Sequence, residues 1–163
     1  MTERSVVHGT FTIERTYNAP PARVFAAMSS AKEKSQWFGG NGPGEPSDLQ
    51  LDFRVGGRET TSGGAGGDVY KYEALYADIV PAARVVATYN MWLNEDLISV
   101  SVATTELQPD GPGTRLTYTE HGAFLDGLDE PHIREHGTRE LFEKLSEYLQ
   151  RKETPTPAES GRN

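Results

Sequence analysis

The sequence predicts an α+β fold: a strongly curved antiparallel sheet of about six to seven strands, wrapped round one long C-terminal helix, with two short helices after the first strand. Three observations carry the prediction. From Asp48 to His121 the chain runs as consecutive alternating apolar and polar segments, broken by Gly- and Pro-bearing turns. That is the pattern of neighbouring antiparallel strands. From Asp129 to about Arg151 the period becomes helical, and Gly137 is the one helix breaker after Pro131. Between the first strand and the rest lies a short stretch with two helix starts.

The elements follow in order. Thr10 to Tyr17 (TFTIERTY) alternates, which places Phe11, Ile13 and Arg15 on one face. Asn18-Ala19-Pro20-Pro21 turns the chain into a short helix whose prolines stand where a missing N–H costs little. Val24, Phe25 and Met28 form its apolar stripe. Ser30-x-x-Glu33 is a capping box, so a second helix begins at about Ala31. It carries Trp37 and Phe38 near its end and stops at Gly39-Gly40, and Asn41 to Pro46 is a Gly/Pro loop.

Leu49, Leu51 and Phe53 then alternate, and Val55-Gly56-Gly57-Arg58 marks a bend where the backbone runs tight. Thr61 to Asp68 (TSGGAGGD) is expected as a hairpin loop. It is not expected to cradle phosphate, because no helix N-terminus follows it. Val69 to Val80 is a long strand with Tyr70, Tyr72 and Tyr76 on one face and Leu75 and Ile79 on the other. Pro81-Ala82-Ala83 turns into Arg84 to Trp92, where Val85, Ala87, Tyr89 and Met91 alternate. Leu97 to Leu107 has Ile98, Val100 and Val102 on one side and Ser99, Ser101 and Ala103 on the other. The cluster Pro109 to Gly113 turns into Thr114 to His121, where Leu116, Tyr118 and Glu120 face one way.

The long helix has Asp129 as its expected N-cap and Pro131 in its first turn, and it ends before Thr154-Pro155. Leu141, Phe142, Leu145, Tyr148 and Leu149 fall in one apolar stripe. His132 to His136 spells H-x-x-E-H, the spacing of one class of zinc peptidases. The helical wheel puts both His on the polar face, away from the stripe, so the reading is a solvated face and no metal is expected. Arg134 and Thr138 instead lie within the arc of Leu141 and Leu145 and point beneath the sheet. A twisted sheet round a helix leaves space at the helix's end, and two short helices can close it into a pocket.

With 163 residues the chain reads as a single domain over residues 10–151, with an N-terminal arm at 1–9 and a polar, disordered tail at 152–163. It has no Cys, which excludes thiolate catalysis and Cys-based zinc sites. No apolar run approaches a membrane span, and the N-terminus lacks the core of a signal peptide. The reading is a soluble, cytoplasmic protein, monomer or homodimer, with no membrane partner. A formal net charge of −8 opposes binding to a phosphate backbone, so no nucleic-acid partner is expected.

The same residues resemble a known family. Asn18 to Phe25 (NAPPARVF), Trp37-Phe38-Gly39, Arg54 to Arg58 (RVGGR), Ile79 to Tyr89 and Gly113 to Tyr118 match, in order, the START-related (SRPBCC) superfamily of helix-grip (START/Bet v-like) folds. The closest resemblance is to its AHSA-type branch, the activators of heat-shock-protein-90 ATPase and their homologues. The resemblance spans about residues 10–151 and implies either a cavity for an apolar or amphipathic small molecule or a chaperone partner. It departs at Gly137-Thr138, where members of the family often have Gly-Trp. Thr in place of a large aromatic enlarges or polarises the cavity beside it.

The cavity is therefore expected to be lined by Trp37, Phe38, Phe53, Tyr72, Tyr89, Tyr118, Glu120, Arg134, Thr138 and Leu141. Tyr and Trp give apolar area plus one polar handle each. Arg134 can pair with a ligand carboxylate or phosphate, or with Glu120. Glu120 and His121 cannot both face inward at strand spacing, and no nucleophile–base–orienter set is visible, so no catalytic residue is assigned. The reading is a binder of a lipid-like or aromatic small molecule, without a cofactor. The alternatives are a co-chaperone-like module, expected to lack the additional preceding domain of a full activator, and a polyketide-cyclase or hydrolase-like enzyme.

Overall fold

In the computed structural model, residues 4–39 and 47–153 are described. In chain order they form β1 (Val6–Tyr17), α1 (Pro21–Ser29), α2 (Ala31–Lys34), β2 (Gln50–Leu51), β3 (Arg58–Ala65), β4 (Asp68–Val80), β5 (Arg84–Leu93), β6 (Asp96–Asp110), β7 (Gly113–Leu125) and α3 (Pro131–Glu153). Short turns force successive strands to run antiparallel. Gly66 and Gly67, between β3 and β4, both take left-handed φ values of +61° and +91°, as a tight hairpin needs. The described strands form one curved seven-stranded sheet in the order β1-β7-β6-β5-β4-β3-β2. The first strand thus pairs with the last, from Val6 opposite Leu125 to Tyr17 opposite Thr114.

The two ends of α3 meet different surroundings. Toward its C-terminal end Phe142, Leu145, Tyr148 and Leu149 are buried against Phe11, Ile13, Leu107, Leu116 and the α1 residues Val24 and Ala27. A smaller cluster of Tyr76, Val85 and Ala87 lies across the sheet, with Phe25, Leu51, Phe53 and Ile79 packed on it. Glu33 ties the short helices to α3: its carboxylate accepts from Tyr148 Oη at 2.7 Å and pairs with Arg23 at 2.9 Å.

Several expectations are corrected. β1 starts at Val6, four residues before Thr10, because Val6 to Gly9 also find partners on β7. α2 ends at Lys34, and Trp37 and Phe38 follow in turns held by bonds to the Lys34 carbonyl at 3.2 and 2.8 Å. The expected loop at Thr61 to Asp68 is mostly strand, with only Gly66-Gly67 as the turn. The alternation of Leu49, Leu51 and Phe53 holds, but only Gln50–Leu51 pairs as strand. At Gly56-Gly57 the bend is tight as expected, since a Cβ on Gly57 would lie 2.0 Å from the Asp52 carbonyl oxygen.

Ile79 changes sides. A register shift between Tyr76 and Asp78 inserts one residue, so Ile79 joins Tyr76 on the inner face instead of Leu75 on the outer one. On β6 the apolar Val100 and Val102 are the exposed side, whereas Ser99 and Ser101 are buried. The helix starts at Pro131, and the Arg134 N–H bonds the Glu130 carbonyl at 3.0 Å, which puts Glu130, not Asp129, at the cap. α3 also continues through Glu153, so Lys152 and Glu153 are helical and not part of a tail. The loop at 41–46 and the tail from 154 lie outside the described residues.

Candidate functional site

The N-terminal half of α3 is not packed solid against the sheet. Between them lies a pocket of about 540 Å³, whose lining combines side chains from α3, β4, β5, β6 and the stretch after α2. Size and composition fall in the range of small-molecule sites. Nine of the ten residues expected from the sequence line it: Trp37, Phe38, Phe53, Tyr72, Tyr89, Tyr118, Arg134, Thr138 and Leu141. The rings form a connected wall. Phe38 meets Tyr72 edge-on at 5.0 Å, and Tyr72 meets Tyr89 at 4.9 Å.

Glu120 is the exception. It is fully buried and stands behind the wall. Its Oε2 accepts from Tyr89 Oη at 2.7 Å, Ser101 Oγ at 2.8 Å and Arg134 Nη1 at 3.2 Å, and its Oε1 accepts from Tyr118 Oη at 2.7 Å. Tyr89 and Tyr118 line the pocket and the carboxylate does not. His121 faces the other side of β7, bonded through Nδ1 to Thr10 Oγ1 at 3.0 Å. The two residues cannot work on one substrate.

Arg134 anchors this end of the pocket. Nη1 donates to Tyr89 Oη at 2.7 Å and to Glu120, and Nη2 donates to Ser99 Oγ at 2.7 Å and Asp129 Oδ2 at 2.6 Å. Its guanidinium also lies 5.2 Å from the Phe124 ring centre. Burial works against its charge, but Tyr89, Glu120 and Asp129 outweigh burial and raise its pKa above the ordinary value. The serine side of β6 now has its reason: small hydroxyls at 99 and 101 leave room for the guanidinium and carboxylate and bond to them. Thr138 Oγ1 donates back to the Arg134 carbonyl at 2.8 Å, and the residue lines the pocket. Burial drives the pKa of Tyr89, Tyr118 and Tyr72 upward, so all three are neutral phenols at pH 7.

A second charged group lies at the other end and was not foreseen. Lys34 lines the pocket, and its Nζ bonds Glu59 Oε1 at 2.7 Å. Tyr76 Oη donates to the same oxygen. Glu59 is fully buried, and its Oε2 has no partner among the described residues. Lys34 Nζ also lies 4.3 Å from the Phe38 ring centre, a cation–π distance. The usable signal was the alternation Gly57, Glu59, Thr61 running into β3, all three buried. Taking part of that stretch for a loop hid it.

His132 and His136 are 78% and 77% exposed and pair with Glu130 and Glu140 on their own surface. Among the described residues no cluster of three His, Asp or Glu side chains is placed to hold a metal. Nor, among those residues, is any helix long and apolar enough to cross a membrane.

A curved sheet gripping one helix over an aromatic pocket defines a helix-grip domain of the SRPBCC superfamily. Within it, the chain belongs to the family described as Activator of Hsp90 ATPase homolog 1-like protein, whose model matches residues 18–150. Among solved structures, an uncharacterised protein of Rhizobium leguminosarum is 40% identical, with a TM-score of 0.87, over 92% of this chain and 99% of that one. Protein Mll3558 of Rhizobium loti is 45% identical, with a TM-score of 0.81, over 88% and 99%. DynU16, a protein in the dynemicin biosynthetic locus, shares the fold at 15% identity and a TM-score of 0.63, over 86% of this chain and 47% of its own. No curated protein matches the sequence.

Proposed function

We propose that this protein binds a small apolar or amphipathic molecule, aromatic or lipid-like, in the pocket between the sheet and α3. The observation that carries the reading is the pocket itself: about 540 Å³, walled by Trp37, Phe38, Tyr72, Tyr89 and Tyr118. Such a wall supplies a large apolar contact with few fixed polar points, the usual composition of a ligand site. Gly137 supports the reading further. Glycine costs about 1 kcal/mol in a helix interior relative to alanine. A Cβ there would meet nothing within 4 Å, so no packing contact explains the glycine, and it borders the pocket. The binding unit is the single domain from β1 to α3, and it shares its fold with a protein of a biosynthetic locus.

Binding by this pocket is tested with Nile red, an uncharged apolar dye, together with native mass spectrometry of the purified chain. Saturable binding, lost in Gly137→Trp with the fold intact by circular dichroism, is the expected outcome. No bound molecule and no dye binding, or dye binding indifferent to Gly137→Trp, would sink the proposal.

A further inference from the structure

Resting on that reading, we infer that the pocket selects uncharged ligands bearing a hydroxyl or carbonyl oxygen over carboxylates, and that the Lys34–Glu59 pair makes the selection. The polar groups a ligand can reach decide the selection.

Arg134 is the group that would ordinarily seize a carboxylate, through two parallel N–H bonds. Here both N–H bonds of Nη1 and both of Nη2 are already spent on Tyr89, Glu120, Ser99 and Asp129. Two carboxylates already face one guanidinium at this end. A third would be repelled.

Lys34 is different. An ammonium has three N–H donors. One is on Glu59, and no other hydrogen-bond acceptor for it is found among the described residues. It stands on the pocket wall. Beside it Tyr72, whose ring links Phe38 to Tyr89, makes no hydrogen bond among the described residues and lines the pocket. Thr105 and Tyr70 add hydroxyls that can donate to either ligand class; the charged handle is the Lys34 ammonium, already neutralised by Glu59, with the neutral Tyr72 phenol beside it. Glu59 is 0% exposed and cannot be screened by water. A ligand carboxylate at Lys34 would bring a second anion to one cation in a desolvated site, which is costly. A hydroxyl or carbonyl oxygen accepts from Lys34 and Tyr72 without that cost.

The pair 2-naphthol and 2-naphthoate tests this, because the two share one aromatic body and differ in the polar group. Both are titrated calorimetrically into the full chain at pH 7, with Nile red, an uncharged carbonyl compound, as the check that the pocket is open. The expected result is 2-naphthol tighter by roughly tenfold or more. In Glu59→Gln the ratio should collapse toward unity, through a gain for naphthoate. Tyr72→Phe should weaken 2-naphthol several-fold with the fold intact by circular dichroism. Naphthoate binding as tightly as naphthol to the unmodified chain overturns the inference and needs no variant to fold. A ratio that survives Glu59→Gln removes the role given to the Lys34–Glu59 pair. If Nile red binds and neither naphthalene does, the ligand class is wrong while the pocket reading stands. If none of the three binds, the pocket reading itself falls.

Discussion

The two halves of α3 show what one amphipathic helix can do when its partners change along its length. Leu145 and Leu149, in the C-terminal half, are buried in a solid core. Leu141, only four residues before Leu145, borders open pocket space, as do Gly137 and Thr138. The buried stripe does not stop at the pocket; it changes chemistry. Arg134 and Thr138 continue the line of Phe142, Leu145 and Leu149 with polar groups, and the sheet answers with Glu120, Ser99 and Ser101. One half is held by apolar burial and the other by a hydrogen-bonded ion pair round an empty space.

The largest effect expected from breaking this contrast is at the ion pair. Arg134→Met leaves Glu120 buried without its cation and should cost about 3–5 kcal/mol in urea unfolding. Adding Glu120→Gln to it should restore much of that loss, since the uncompensated charge is then gone. A double variant no better than the single would mean that the network holds the fold by packing alone.

Next comes a matched pair of leucines. Leu145→Ala should cost about 2–5 kcal/mol, because it opens a cavity in a closed core. Leu141→Ala should cost about 1 kcal/mol, because its side chain already faces space. Equal losses would show that the hollow half closes up in solution. Smaller still, and of opposite sign, Gly137→Ala should stabilise by about 1 kcal/mol, seen as a higher Tm.

The pH dependence gives the finest distinction. Tyr72 and Tyr118 have folded pKa values above the ordinary value of 10.0, chiefly through burial. The stability this represents is fully present below the unfolded value near pH 10 and is lost as pH rises through the folded values. Unfolding free energy should therefore fall more steeply above pH 10 in the unmodified chain than in Tyr72→Phe or Tyr118→Phe. A slope unchanged in both variants would place the two phenols in water.

Much of the fold was legible because its signals are local. Alternation located the strands, and the H-x-x-E-H spacing was correctly assigned to solvent by angle alone. Nine of ten expected lining residues were legible for the same reason: strand parity and helical angle decide which way a side chain faces. The misses share a cause. The single-residue shift after Tyr76 moved Ile79 to the other face, and no local pattern announces such a shift. Glu59 went unread because it falls between the Gly56-Gly57 bend and a Gly-rich segment that looks like a loop until β4 pairs with it. Glu120 was placed on the right face but one layer too far forward.

By itself, then, the sequence determined the element order, the face of each strand and the polar line of α3 through Arg134 and Thr138, since these follow from backbone periodicity. Only the tertiary structure decided what those faces meet. Arg134 finds its four acceptors on β5, β6, β7 and the approach to α3. Lys34 meets Glu59 from an element 25 residues away. Whether a polar side chain serves a ligand or a neighbour depends on which donors remain unspent, and that is settled only when distant strands come into register.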